Sequence, residues 1–432
     1  MPSRSTQTKV PVAWLPFWTI YSSPLAEFRR IMLQKGSLVK ILTPWPYYLI
    51  SEPTLAHHIL TDDETLFTKK LLDYKIFENY VGRGILTKEG GQWEQINNVE
   101  RPFFKKDSLE LQTVCIDNVL AKVINRIEGL ALRDEPVDIG KLMARITFDI
   151  VAEYIFGVAN DNHGICDYYE NMDMPKRKAL NFFIPTMPGK YQKQLRAFQA
   201  RFTDYIDRMG RLSEKTGNDS LFVAMQEAFD RDTLVNELKV LLFGGHTTLA
   251  SLLAWTFYSL STEPGAAEMV YNEIDDPTAG NDMKSSQLMC FLFENMRLYP
   301  PVWLIPRRCI KTHEFNGMTL RKGRFMLIAP WSMNRNPAIW PDPETFRPQR
   351  FLELTPVQRK AFIPFSIGKR QCMGKQFALL EAHKIVSTLL QHFYVLPSKK
   401  REMRLSSLIS VKSCDRLHLY LQPRRTAAAG VA

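Results

Sequence analysis

The stretch Phe365-Ser366-Ile367-Gly368-Lys369-Arg370-Gln371-Cys372-Met373-Gly374 decides the reading of this chain. It holds the spacing F-x-x-G-x-R-x-C-x-G in full, a match with a chance frequency on the order of 10⁻⁴. Each residue type has a physical use there. Gly368 and Gly374 allow a tight turn. Arg370 carries a planar donor fork that suits a carboxylate. Cys372 as a thiolate is a soft metal ligand. Backbone N–H groups that follow it can donate to the sulfur and tune it. The other five cysteines (Cys115, Cys166, Cys290, Cys309 and Cys414) are scattered without such a setting and read as reduced structural thiols.

Taken together, these residues describe a loop beneath a haem. Cys372 would be the axial ligand to the iron, where a thiolate favours O–O cleavage. Phe365 would cover the sulfur, and Arg370 would meet a propionate. On this motif the chain resembles the cytochrome P450 family, the haem-thiolate monooxygenases, from about residue 35 to 421. The resemblance implies haem b (iron protoporphyrin IX), held between a long central helix and the cysteine loop. It also implies a mainly α fold with small β-sheets, as one domain over 1–432 with frayed tails at 1–9 and 422–432. The soluble bacterial type of the family is expected.

Four further motifs follow the family's order. Glu294 and Arg297 lie three apart on a helix that ends before Pro300-Pro301, so both face one side. Arg350, in Phe346-Arg347-Pro348-Gln349-Arg350-Phe351, would complete a structural Glu–Arg–Arg cluster with them. Gly244-Gly245-His246-Thr247-Thr248 sits within a helical signal from about Arg231 to Leu260, apolar on nearly every side and therefore buried. Its glycine pair marks a kink or a close approach by another element. By resemblance, Thr248 is the oxygen-pocket threonine, and Thr247 stands where the family has a carboxylic acid. His246 is next to it and titrates near neutral pH if accessible; the competing reading is a satisfied core histidine. In Gly91-Gln92-Trp93-Glu94-Gln95-Ile96-Asn97, Trp93 can reach a propionate, but Asn97 replaces an arginine. Arg307 is the candidate substitute cation, ahead of Arg308.

Composition sets the remaining expectations. The 432 residues carry 45% apolar and 23% charged side chains, which excludes disorder and a disulfide scaffold. The apolar stretch from Val10 to Tyr21 is shorter than the roughly 20 residues of a membrane span and contains two prolines. The expectation is a cytoplasmic monomer with no membrane anchor. There is no G-x-G-x-x-G behind a strand and no Walker A loop, since Gln376 follows Gly374-Lys375. Electrons must come from another protein. The net charge of +11 suits an acidic ferredoxin or flavodoxin with its reductase, docking on Arg101, Lys105, Lys106, Lys369 and Lys375. No basic helix or aromatic-basic interleaving points to nucleic acid. Cys309 and His313 have a C-x₃-H spacing without a second pair, and His57-His58 reads as a packing pair, so zinc is not expected.

The pocket candidates are Phe182, Phe183, Leu241, Val302, Leu304, Ile305 and Ile409, mostly apolar, as for a hydrophobic small molecule. A terpenoid, steroid, fatty acid or polyketide scaffold fits them. Two rival readings keep the same haem loop: a peroxygenase or isomerase that does not use O₂, motivated by Thr247, and a non-catalytic haem-binding protein.

Overall fold

The computed structural model describes the chain apart from residues 1–9, 15–23, 44–45, 63, 72–77, 79–80, 132, 134, 161–163, 171–188, 218, 277–285, 399–404, 408–409, 414 and 425–432. Phe182, Phe183 and Ile409 therefore lie outside the described residues.

The organising element is the helix Arg231–Thr262. Asp230 caps it by accepting from the Thr233 N–H at 2.9 Å, and Pro264 opens the next helix, Pro264–Asp275. From Leu249 to Phe257 every residue is buried, as expected for a helix apolar all round. Among the described residues it is the one helix long and apolar enough to cross a membrane, yet most of its apolar window lies inside the fold. Its largest packing partner is the helix Ile139–Phe156, buried on almost every side. It also packs against Gln287–Leu298 and Lys375–His392.

The glycine pair does not break the central helix. A Cβ on Gly245 would lie 2.6 Å from Val151 Cγ2 of the neighbouring helix, whereas one on Gly244 would meet nothing within 4 Å. Close approach, and not a kink, is the structural reason for Gly245.

The strands form a smaller body beside the helices. A six-stranded sheet runs in the order Val12–Trp14, Leu38–Leu42, Tyr47–Ile50, Phe325–Ile328, Ile305–Cys309, Phe67–Thr68. The strand Ile305–Cys309 escaped the sequence reading because Pro306 and two arginines interrupt its apolar pattern. A second sheet joins Phe393–Pro397, His418–Pro423 and Val137–Asp138. The helix Pro53–Thr61 lies against the large sheet. Pro53 is in its first turn, and the Glu52 carboxylate caps it through the N–H groups of Thr54 and Leu55.

Candidate active site

The cysteine loop is closed by its own backbone. The Cys372 N–H donates to the Phe365 carbonyl at 2.9 Å, and the Gln371 N–H to the Gly368 carbonyl at 3.0 Å. Gly368 is left-handed (φ 75°), and a Cβ there would lie 2.5 Å from the Leu60 carbonyl oxygen. Only glycine lets this loop seat on the end of the helix Pro53–Thr61. Gly374 then caps the helix Lys375–His392, placing Cys372 at a helix N-terminus.

Of the five described cysteines, four are buried and Cys372 alone is exposed. Its sulfur is nonetheless deep within the protein, and that burial pushes the thiol up; the Gly374 N–H and Lys375 pull the other way. A thiol reachable by solvent yet surrounded by protein faces an internal cleft. A metal ion there would deprotonate it outright. Phe365 is half-buried and packs against the main core.

Beside the loop sits a group of cations. Arg370 lies over the Trp93 ring, 4.2 Å from its centroid, and donates through Nε to Glu64 Oε1 at 2.9 Å. Its Nη1 is buried without a partner. Arg307 is 7% exposed, and among the described residues it meets no carboxylate; its Nη1 donates to its neighbour Pro306. Arg308 is exposed. A third cation, Lys69, was not singled out from the sequence. Burial holds its ammonium well below the ordinary range, and Arg307 and Arg370 depress it further, while Glu89 and Glu64 oppose. For Glu64, burial works against ionisation. Arg370, the Gly90 N–H and Lys369 outweigh it and hold the carboxyl low. Three cations thus face two carboxylates, with one guanidinium nitrogen orphaned. Such a group fits the two propionates of haem b, beside which Lys69 would supply the charge that Asn97 lacks. Its only signal in the sequence is a lysine pair after an apolar strand.

On the central helix, Thr248 is half-buried and its hydroxyl donates to the Gly244 carbonyl at 2.9 Å. Thr247 and His246 belong to the core, which corrects the expectation that they act in catalysis. Thr247 is 3% exposed, and its hydroxyl lies 3.2 Å from His246 Nε2. His246 is fully buried, donates through Nδ1 to the Leu242 carbonyl at 2.7 Å, and packs edge-on to Phe148. Burial drives its pKa down to about 3; Leu242 opposes this and Lys412 adds to it. The imidazole is neutral and satisfied.

Two turns before Gly244, on the same face as Leu241, Gly244 and Thr248, stands Glu237. It meets Glu100 from the helix Gly90–Glu100, and neither residue has any exposed surface. Glu237 Oε2 accepts from the Ile85 N–H at 3.1 Å. As carboxylates, the other three oxygens of the pair would have no donor. A proton between the two groups turns their contact into a hydrogen bond. Burial raises Glu100 well above the carboxylate range, with the Glu237 charge adding to it, and raises Glu237 to about 7. Gly84 makes room, since a Cβ there would lie 2.5 Å from Glu237 Oε1.

The Glu–Arg–Arg cluster forms as expected. Glu294 and Arg297 are fully buried and joined at 2.7 Å, and Arg350 Nε donates to Glu294 Oε1 at 3.1 Å. The Arg347 N–H also reaches Glu294 Oε1, at 2.8 Å. Arg297 donates to the carbonyls of Asn334 and Pro343, and Arg350 to those of Pro341 and Thr345. Two guanidiniums therefore tie down the irregular segment before the cysteine loop. Of the described pocket candidates, Ile305 is buried and Leu241 and Leu304 pack partly against the core. Val302 is 39% exposed.

Comparison with known proteins agrees with this geometry. A family model described as "Cytochrome P450" matches residues 6–413. Similar proteins include "Cytokinin hydroxylase" of Arabidopsis thaliana, 24% identical over 88% of this chain and 79% of its own length. "Cytochrome P450 4d2" of Drosophila melanogaster is 26% identical over 87% and 84%. "Cytochrome P450 4Z1" of Homo sapiens is 25% identical over 87% and 81%. These relatives come from a plant, an insect and a mammal, so the expected bacterial type finds no support. With the cysteine loop, the cation group and the buried Glu–Arg–Arg cluster in place, the match over nearly the whole length settles the assignment: the chain belongs to the cytochrome P450 family and is a haem b-dependent monooxygenase.

Proposed function

We propose that this monooxygenase hydroxylates or otherwise oxidises a hydrophobic small molecule of terpenoid, steroid, fatty-acid or polyketide type. Electrons come from an acidic ferredoxin or flavodoxin served by its own reductase, and the enzyme works as a cytoplasmic monomer. The observation that carries the reading is the pairing of Cys372, exposed to an internal cleft at a helix N-terminus, with the orphaned Arg370 Nη1 over Trp93.

Haem b bound here supplies the iron that activates dioxygen. The chain's own residues do the rest. Cys372 offers its sulfur as the ligand, and the Gly374 N–H and Lys375 stabilise its charge. Arg370, Arg307, Lys69 and the Trp93 indole hold the propionates. Gly244 leaves the helix surface bare, and the Thr248 hydroxyl, parked on the Gly244 carbonyl, can turn to hold a proton at that surface. Leu241, one turn earlier, keeps the same face apolar and limits water. The exposed Arg101, Lys105 and Lys369 support an acidic electron donor, to which such a surface is attractive at long range.

The test has two arms. Cys372→Ala should abolish the thiolate-type Soret band of the reduced carbon monoxide complex; an unchanged band refutes the ligand assignment. A spectral-shift screen of hydrophobic metabolites, followed by turnover of the hits with ferredoxin and its reductase, should give oxygenated product that depends on O₂. Turnover with peroxide alone, and none with the donor, would instead establish a peroxygenase.

A further inference from the structure

We infer that His58 and His313 form a bidentate binding site for a borderline divalent metal ion such as Zn²⁺, Ni²⁺ or Cu²⁺, separate from the haem site. His58 lies in the helix Pro53–Thr61 and His313 opens the strand His313–Phe315, 255 residues away. Their Nε2 atoms are 3.1 Å apart. Two imidazoles on one tetrahedral zinc, at about 2.0–2.1 Å each, have their nitrogens about 3.3 Å apart. The gap is thus within a few tenths of an ångström of a metal bite.

Both rings are held in place. His313 Nδ1 donates to the Lys311 carbonyl at 2.9 Å, which leaves its Nε2 with a free lone pair. His58 stacks on Phe315 with centroids 4.3 Å apart and 17° between planes. Phe67 stands edge-on to both imidazoles, 5.7 Å from His58 and 5.4 Å from His313. Without metal, the His58 Nε2–H donates to His313 Nε2. A bound cation takes that proton's place between the rings and the proton moves to His58 Nδ1, so binding releases no proton. Both residues are half-buried, so an ion can enter.

The ligand pair is not the one the sequence spacing suggests. Cys309 Sγ lies 4.0 Å from His313 Nδ1, on the far side of the ring from Nε2. His57 is occupied by the Lys360 carbonyl at 2.8 Å. Among the described residues no third imidazole, thiolate or carboxylate converges on the pair. Water completes the coordination, so the site is exchangeable and reversed by chelators. Imidazole selects late first-row ions over Ca²⁺ and Mg²⁺.

The experiment uses the haem-loaded full chain, stripped with chelator and titrated with Zn²⁺ by calorimetry and with Cu²⁺ by electron paramagnetic resonance. Expected is one equivalent of Zn²⁺ and a Cu²⁺ spectrum with two nitrogen couplings. His58→Phe, which keeps the stack on Phe315, and His313→Ala should each weaken that equivalent at least tenfold. His418→Ala, an exposed histidine on another sheet, should not change it. The carbon monoxide spectrum confirms that each variant is folded around its haem. Zn²⁺ binding unchanged in both His58→Phe and His313→Ala, or a wild type that binds no more tightly than the double variant, overturns the inference.

Discussion

The buried pair Glu100–Glu237 makes the stability of this enzyme fall as pH rises, and the size of the fall can be worked from the structure. Burial, only partly offset by the Ile85 N–H, the Glu100 carboxyl and Lys88, lifts Glu237 from its ordinary 4.5 to about 7. Between those values the folded chain binds more protons than the unfolded one, so stability drops with each pH unit. Below pH 4.5 both states hold the proton and nothing is lost. From there to pH 7 the drop amounts to about 3 kcal/mol, a factor of about 150 in the folding equilibrium. Glu100, raised well above its ordinary value, extends the fall to higher pH with the same sign.

Glu237→Gln should remove most of this slope. Its amide oxygen still accepts from Ile85 and its NH₂ can donate to Glu100. The assay is the midpoint of denaturant unfolding of the haem-loaded protein at pH 5.5, 7 and 8.5, wild type against variant. The two should be close at pH 5.5, with the variant gaining on the wild type by roughly 2–3 kcal/mol at pH 8.5. A wild type equally stable at pH 5.5 and 8.5, or a slope undiminished in Glu237→Gln, refutes the shared proton. Gly84→Ala is an independent check, because its Cβ would displace Glu237 Oε1 from the pair.

Three other outcomes follow from the same structure. Glu294→Gln leaves Arg297 and Arg350 buried without their counter-charge and should cost about 3–5 kcal/mol, read as a lowered unfolding midpoint and loss of haem-loaded protein on purification. Gly245→Val forces a side chain into Val151 and should destabilise by about 1–3 kcal/mol, while Gly244→Ala should leave the unfolding midpoint within about 1 kcal/mol of wild type. Thr248→Ala should raise peroxide released per product formed; unchanged coupling removes Thr248 from proton handling.

What the sequence revealed and what it hid divide along one line. The cysteine loop, the Glu–Arg pair three apart and the long apolar helix are local patterns, and each formed as read. Residues meeting across the fold were hidden, because one sequence carries no register between distant elements. Lys69 comes beside Arg307 and Arg370 only because Phe67–Thr68 pairs with Arg308 and Cys309 on the strand that carries Arg307. Glu100 was half legible: Trp93, Ile96 and Glu100 lie three and four apart, and all three are buried. That periodicity places a carboxylate on an apolar face, where it needs either a cation or a proton. The structure shows a second acid there, so the proton is required.

The same helical arithmetic explains why Thr247 and His246 left the site while Thr248 stayed. At about 100° per residue, Thr248 sits about 40° from Gly244, so both share the bare face. Thr247 is rotated about 100° from Thr248 and His246 about 200°, toward the helix Ile139–Phe156, whose Thr147 hydroxyl reaches the His246 carbonyl at 3.3 Å. Adjacency in sequence puts Thr247 and His246 beside Thr248 in the chain; on a buried helix, the neighbours of a site residue along the chain are the residues turned away from it. The substitution of the family's acid by Thr247 therefore fills a packed flank with a hydroxyl that His246 satisfies. The nearest ionisable group on the Thr248 face of this helix is Glu237, three turns away, and it is committed to Glu100. With no nearer acid on that face of the helix, proton delivery beside Thr248 is expected to draw on solvent entering over Gly244, which makes the peroxide released per product sensitive to solvent deuterium. A coupling ratio indifferent to deuterium in the wild type would mean that proton delivery does not set the partition between product and peroxide, and would defeat this argument.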